Sequence, residues 1–430
     1  MAPVVWPTYE SYVDSGVEWL GCVPTSWELK RLGSLFNERR SKVSDQEFQA
    51  LSVTRNGVVP QLESAAKTND GDNRKLVRQG DFVINSRSDR KGSSGVSPLD
   101  GSVSLINIVL EPTGILPQFC NHLLKSYAFV EEYYRVGRGI VADLWTTRYD
   151  EMRGITMALP SVEVQRAIAD FLDEKCAKVD EAVRIKEEQI ALLRERRQIL
   201  IQQAVTRGLN PDAPMKDSGI EWIRKIPSNW TVKKLKNLCR FSGGSTPSKE
   251  RVDYWEDGTV PWVSPKDMKQ SYIAETQDRM TEKAVRESTV SFVHPGSLLI
   301  VVRSGILQRT IPVAINSVPV TLNQDMKALT FGTALLAKYM MFLIEGNSGA
   351  LLPILTKEGA TVESIEQSNL ANCHVPAPPS SEQKAIVAHL EKSNQKLDGA
   401  IKIKEKQIAA LKEYKTTLIN AAVTGKIKVA

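Results

Sequence analysis

Apolar and polar positions recur along this chain with two periods, and the longest regular stretch occurs twice. In the first, apolar residues fall at Ile168, Leu172, Val179, Val183, Ile190, Leu193, Leu200 and Ala204. Spacings of 3, 4 and 7 make the stripe of a helix close to a heptad seam. The second gives Ile386, Leu390, Leu397, Ile401, Ile408, Leu411, Leu418 and Ala422. No Gly or Pro lies between Ser161 and Thr206, and the second stretch holds only Gly399. Leu159-Pro160-Ser161 and Pro378-Pro379-Ser380 read as helix starts, with Ser380 and Gln383 spaced as a capping box. Gly208 and Gly425 read as stops.

A helix of about 45 residues extends about 68 Å at about 1.5 Å per residue. It would outrun a globular segment of about 160 residues, so its simplest partner is its own copy. The chain must return between the two, and the pair is expected to be antiparallel. Elsewhere the period shortens. Phe82-Val83-Ile84, Val103-Ser104-Leu105-Ile106, Leu298-Leu299-Ile300-Val301-Val302 and Val313-Ala314-Ile315 predict strands, and 118–134 and 335–344 predict helices. The fold class expected is α/β (α+β): two globular domains, joined and separated by an antiparallel coiled coil of two long helices, as a pseudo-two-fold internal repeat. The predicted boundaries are 1–160, helix 161–208, 209–378 and helix 379–430.

The repeat extends beyond periodicity. Asp14-Ser15-Gly16-Val17-Glu18-Trp19-Leu20 returns as Asp217-Ser218-Gly219-Ile220-Glu221-Trp222-Ile223, an offset of 203. Val23-Pro24-Thr25-Ser26-Trp27 meets Ile226-Pro227-Ser228-Asn229-Trp230, and Lys30-Arg31-Leu32 meets Lys233-Lys234-Leu235. The helices match at an offset of 218, with 20 identities over the 42 positions from Gln165 to Thr206. Between the matched ends the copies differ in length and have diverged. Only weak echoes remain, such as Gly80 with Gly296 and Arg87-Ser88 with Arg303-Ser304. Simple drift would not spare the helix and the Trp block while erasing the middle.

Composition changes this picture little. Of 430 residues, 42% are hydrophobic and 25% charged, and the formal net charge is +6, ordinary values for a soluble globular protein. The first 160 residues hold 18 basic and 19 acidic groups, so any strongly charged face must be local. No run approaches the roughly 18 apolar residues that span a bilayer, and the start Met1-Ala2-Pro3-Val4-Val5-Trp6 lacks signal-peptide character. Five scattered cysteines predict reduced thiols in a cytoplasmic protein. Catalytic motifs are missing: no G-x-x-x-x-G-K-[S/T] loop, no His/Cys cluster at metal spacing, no amino-methyltransferase loop and no credible nuclease constellation. Ser242-Gly243-Gly244-Ser245-Thr246-Pro247 reads as a turn, and Cys373-His374 as structural.

The Gly-hydrophobic-Glu-Trp…Pro-x-x-Trp blocks at 16–27 and 219–230 resemble the specificity subunit of type I restriction–modification enzymes. So do Leu209-Asn210-Pro211-Asp212…Met215-Lys216-Asp217-Ser218-Gly219 and the helices ending in Ala-Val-Thr. One departure is Val164, where the first helix lead-in usually carries Glu; the second copy keeps Glu382. The resemblance implies a non-catalytic, sequence-specific DNA recognition subunit in a prokaryotic cytoplasm. Each variable segment would be a target-recognition domain reading one half of a bipartite, non-palindromic site in double-stranded DNA. The coiled coil would set half-site spacing and dock two methyltransferase (modification) subunits, with restriction/translocase subunits joining them. No cofactor is expected in this chain; S-adenosylmethionine, ATP and Mg²⁺ are expected in the partner subunits, and no membrane association is implied. A rod of this length would separate two readers by about two DNA turns of roughly 34–36 Å each. The alternative is a coiled-coil protein-interaction scaffold without DNA specificity.

Base and phosphate contacts favour Arg, Lys, Asn, Gln and Ser on loops. In the first domain the candidates are Asn85, Arg87, Ser88, Arg90 and Lys91 directly after a strand, with Arg55, Asn56 and Arg138. In the second they are Arg303, Ser304, Gln308 and Arg309, with Lys266 and Lys269. Arg87 and Arg303 occupy matched positions and are the strongest pair. Any one of these could instead be a solvated surface charge.

Overall fold

The computed structural model describes residues 6–63, 71–139, 145–356 and 362–429. The chain forms two compact units. One gathers the residues up to Glu187 with those from Glu405 onward; the other is Glu188–Lys404. Each unit therefore takes one globular segment and one part of each long helix, so the units are drawn through the helices and not at their ends.

The long helices are Val162–Arg207 and Ser380–Val423. Both end at a glycine in the left-handed region, Gly208 at φ 76° and Gly425 at φ 72°, which only a residue without Cβ adopts at little cost. In the first unit Lys415 reaches Asp180 at 2.7 Å and Lys412 reaches Glu187 at 3.9 Å, so the two helix segments run antiparallel. In the second unit Arg197 pairs with Asp398, the repeat equivalents of Lys415 and Asp180. Of the predicted seam, Ile168, Leu172, Val179, Ile190, Ile386, Leu390, Ile401 and Leu418 are buried. Val183, Leu193, Leu200, Leu397, Ile408 and Leu411 are half-buried.

The first unit carries a four-stranded antiparallel sheet in the order Ser94–Val96, Phe82–Asn85, Asn107–Pro112, Phe36–Glu38. A smaller sheet joins Gly101–Val103, Arg74–Val77 and Lys42–Val43. The second unit has a five-stranded sheet in the order Cys239–Gly243, Met326–Phe331, Leu298–Val301, Val313–Asn316, Tyr272–Ile273. The central strands of the two large sheets, Phe82–Asn85 and Leu298–Val301, are each fully buried. Each follows a positive-φ glycine, Gly80 and Gly296. The middles of the two copies thus share a sheet frame that their sequences conceal, within a mixed α/β fold built around long helices.

Each unit is closed by the end of a long helix. In the first, Leu418, Ala422, Val423 and Ile427 join the core that holds Leu20, Val23 and Trp27, and Lys428 N donates to Pro7 O at 2.6 Å. In the second, Ile201, Ala204 and Val205 join Ile226 and Trp230, and the Tyr339 hydroxyl donates to Val205 O at 2.8 Å.

Several expectations are corrected. The strand expected at Val103–Ile106 is Gly101–Val103, and Leu105 and Ile106 lie exposed in a turn. The helix expected at 118–134 is two, Pro117–Lys125 and Tyr127–Arg135. Ser126 breaks it by adopting extended backbone and capping Phe129 N through its Oγ at 3.2 Å. The helix expected at 335–344 runs Ala337–Leu355 with a kink at Asn347. Ser380 is already helical, and Gln383 does not close a capping box. Its Nε2 donates to Pro378 O and Ala334 O, and its Oε1 accepts from Leu336 N.

Candidate nucleic-acid interface

In the first unit most candidates meet on one strip built around the end of the central strand. Asn85 is the last residue of that strand and faces inward, buried, with Oδ1 accepting Arg87 N at 3.0 Å. It shapes the turn, and this corrects its expected place at the surface. Arg87 is exposed, bridges Thr146 through its backbone, and offers its carbonyl to the Tyr134 hydroxyl at 3.2 Å. Thr146 also bridges Arg138, which brings Arg87 and Arg138 to either side of one residue. Burial pushes the Tyr134 hydroxyl up to about 12, so it remains a neutral donor. Lys91 sits 5.4 Å over the Tyr134 ring and pairs with Glu131 at 2.7 Å. Arg55, in the hairpin turn between Leu51–Thr54 and Gly57–Pro60, donates through Nε to Lys91 O at 3.2 Å, and Asn56 beside it is exposed.

The charges on this strip differ in freedom. Arg90 pairs with Asp89 at 3.6 Å, largely in water, where an ion pair contributes little and is easily exchanged for another anion; Arg138, itself exposed, pairs at 3.7 Å with Glu151, whose side chain is mostly buried. Among the described residues Arg87 has no ion pair. The side chain of Ser88 lies outside the described residues. Below Arg87 and Arg90 is a groove of about 470 Å³, floored by Arg74 and Asn107. Burial lowers the Arg74 guanidinium from its ordinary value; Nε donates to Ser102 Oγ at 2.8 Å and Nη2 to Ser102 O at 3.1 Å. Sequence patterning did not single out Arg74, because an Arg within a four-residue strand carries no local signal of burial.

In the second unit Arg303 follows the equivalent strand, is exposed, and bridges Ser364 as Arg87 bridges Thr146. Ser304 Oγ accepts Ile306 N at 3.5 Å, opening the one-turn helix Gly305–Gln308. Leu307 anchors that turn in the core while Gln308 and Arg309 stay exposed. Lys266 and Lys269 stand on a separate turn, held by Asp267, whose Oδ2 accepts Ser264 N at 2.8 Å and Ser264 Oγ at 3.0 Å. Among the described residues Arg303, Arg309, Lys266 and Lys269 have no ion pair. The equivalent loops therefore share an anchoring Arg-Ser and a short helical turn, and differ in the side chains that follow.

The ties between the domain helices and the long helices also repeat. Gln165 Oε1 accepts Leu116 N at 2.9 Å, and Gln383 Oε1 accepts Leu336 N at 2.7 Å. Further along, Asn420 Oδ1 accepts Ala128 N at 3.2 Å just past the Ser126 break. Its equivalent Gln202 approaches Asn347 Oδ1 at 3.5 Å, at the kink of the other domain helix. Gln165 and Gln383 are identical across the two copies, a signal that could have found them. Among the described residues no group of three or more His, Cys, Asp or Glu could hold a metal ion, and no helix is long and apolar enough to cross a membrane.

Residues 227–413 match the profile of the family described as Type I restriction modification DNA specificity domain. The EcoR124I/EcoR124II type I restriction enzyme specificity subunit of Escherichia coli is 37% identical over 177 residues, 41% of this chain and 41% of that protein. The MjaIX specificity subunit of Methanocaldococcus jannaschii is 31% identical over 188 residues, 43% of this chain and 41% of that protein. The chain thus matches about two fifths of the length of these relatives. A chain from a solved structure on complex assembly and conformational transition of the type I R-M system superposes with a TM-score of 0.71 at 19% identity. That superposition covers 93% of this chain and 98% of the other. The family match in sequence thus lies at residues 227–413, and the fold of the solved chain is shared over nearly the whole length.

Proposed function

We propose that this chain is the specificity subunit of a type I restriction–modification complex, a DNA-recognition component that carries no catalysis of its own. Each globular segment reads one half of a bipartite, non-palindromic target. The paired helices set the half-site spacing and dock two methyltransferase subunits, to which the restriction and translocase subunits add. S-adenosylmethionine, ATP and Mg²⁺ belong to those partners, and the complex works in the prokaryotic cytoplasm.

One observation carries the reading. Arg87 and Arg303 leave equivalent strands at equivalent bridges, yet the loops after them are Ser-Asp-Arg-Lys and Ser-Gly-Ile-Leu-Gln-Arg. A shared frame bearing unlike polar loops suits two readers of different half-sites. A scaffold that binds protein alone has no need of unlike loops on like frames.

The test is selection from a random duplex pool by the chain purified with a methyltransferase partner. Enrichment of a split motif with a constant spacer is expected, with binding that weakens steeply with salt. A pool returned without any split motif would overturn the proposal. Methyl transfer or cleavage by this chain alone would overturn its non-catalytic part.

A further inference from the structure

In the second unit the Gly-rich stretch 242–247 closes on another tight turn, 323–325, which leads into the strand Met326–Phe331. Ser245 N donates to Leu322 O at 3.0 Å, and the buried Trp262 donates its indole N–H to Ser245 O at 3.2 Å. Gly244 lies so close that a Cβ there would fall 2.0 Å from Asn323 O, so only glycine lets the loop seat. Asn323 is buried, and its Oδ1 accepts Asp325 N at 3.0 Å, which fixes the turn from within. The residue between them, Gln324, is exposed, and its carboxamide oxygen accepts the Thr246 hydroxyl.

The same turn is bonded to both segments from which the unit's candidate cations emerge. Val302 N, just before Arg303, donates to Asp325 O at 2.8 Å, and Asn323 N donates to Val263 O at 3.0 Å, on the strand that leads to Lys266. The first unit builds this turn as well. Ser86 N, just before Arg87, donates to Ile106 O at 3.2 Å, which sets Leu105 at the place of Gln324. Leu105 is exposed and its side chain forms no hydrogen bond. Like turns beside matched arginines thus carry a carboxamide in one copy and an alkyl group in the other.

We propose that Gln324 reads an adenine in the half-site taken by the second unit, with Thr246 as its positioning residue. The inference rests on the reading of the chain as a DNA-specificity subunit and adds to it a base and the residue that selects it. A carboxamide meets adenine through two bonds, its oxygen accepting from the 6-amino group and its nitrogen donating to N7. The Thr246 hydroxyl takes one lone pair of Oε1 and leaves the other for the base. Because the turn is pinned from three sides, little ordering cost remains to be met on binding. The Asp325 carboxylate next in the chain disfavours a phosphate there and leaves the base edge as the partner. Arg303 and Lys266, on the adjoining loops, supply the attraction to the backbone.

The test repeats selection from a random duplex pool, by the full chain with its methyltransferase partner, using Gln324→Leu. Leucine is what the first copy carries at this place, so the turn accommodates it. Preference for A·T is expected to fall at a single position of one half-site, at least about tenfold or about 1.4 kcal/mol, with the other half-site and the spacer unchanged. In the selected duplex, 7-deazaadenine at that position, which lacks the N7 acceptor, is expected to weaken binding of the unmodified chain and not of Gln324→Leu. Thr246→Val is expected to blunt the same preference, and Thr246→Ser, which keeps the hydroxyl, to retain it. An unchanged motif in Gln324→Leu, a loss spread over all positions, or equal sensitivity of both proteins to 7-deazaadenine would overturn the inference and leave the specificity reading standing. A pool that the unmodified chain returns without a split motif would bring down that reading and the inference together.

Discussion

Gln165 accepts the amide hydrogen of Leu116 at 2.9 Å while its own Nε2 donates to Pro160 O at 2.9 Å. One buried side chain thus ties the first turn of a long helix to the N-cap of a domain helix. Gln383 repeats the tie with Leu336 and Pro378. Both glutamines are 1% exposed, so water cannot replace either bond. Replacement of Gln383 by Leu leaves Leu336 N and two carbonyls without partners, at a cost of about 1–3 kcal/mol for each buried group left unpaired. Hydrogen exchange at Leu336 is expected to accelerate at least tenfold in Gln383→Leu, with Leu116 unaffected, and the reverse in Gln165→Leu. Unchanged exchange at both amides would show that the tie is incidental.

The departure at Val164 acts at a different place from the one the sequence suggests. By its place ahead of a long helix, an acid there reads as part of the helix cap. Glu382 instead accepts the Trp230 indole N–H at 2.7 Å and also the Asn229 side-chain amide. Val164, its equivalent, packs into the first unit's core, and the Trp27 indole N–H finds no acceptor among the described residues. Tyr9 lies edge-on to Trp27 there, with ring centroids 5.9 Å apart. Trp230 is fully buried, so Glu382→Leu is expected to cost about 1–3 kcal/mol. Val164→Ala, which trims a half-buried side chain in a copy that never had the acid, is expected to cost under about 1.5 kcal/mol. Thermal melts of the two variants check the contrast, and equal losses would refute it.

These two cases mark what the sequence made legible. The duplication, the paired helices and their glycine stops could be read because identity and period survive in them. The sheet frame shared by the middles could not, since Phe82–Asn85 and Leu298–Val301 need only be apolar on both faces. Nor could the closure of each unit by a distant helix end. The collision that a Cβ on Gly425 would make with Pro24 depends on residues about 400 positions apart. At the candidate interface, residue type located the exposed Arg87 and Arg303 but misplaced Asn85, because a polar residue ending a strand is as suited to shaping a turn as to meeting a ligand. The break at Ser126 was missed for the same reason: a serine within a helical pattern carries its cap signal only once the backbone has turned.

Arg87 and Arg303 provide the sharpest test of the proposed division into two readers. Arg87→Glu is expected to relax selection at one half-site only, and Arg303→Glu at the other. A lost bidentate base contact weakens discrimination at its position by about 1–3 kcal/mol. A lost phosphate contact lowers affinity for all sequences and reduces the salt slope by about 1. Selection repeated with each variant, at two salt concentrations and with the partner complex still assembled, distinguishes these outcomes. Loss of both half-sites in either variant would mean that the loops do not read independently.

Glu345 makes the stability of the protein depend on pH. Its carboxyl is held at about 7 against an ordinary 4.5, so between those values the folded chain binds a proton that the unfolded chain has released. Stability therefore falls as pH rises through that window. Burial is the dominant cause, and a shift of this size corresponds to up to about 3 kcal/mol. Glu345→Gln stays neutral throughout. It is expected to match the unmodified chain at pH 4, where both carry a neutral group, and to melt higher at pH 8, where only the unmodified chain carries a buried charge. Melting at fixed ionic strength across pH 4–8 reads the difference directly. A constant gap between the two proteins over that range would mean that Glu345 is as well solvated folded as unfolded.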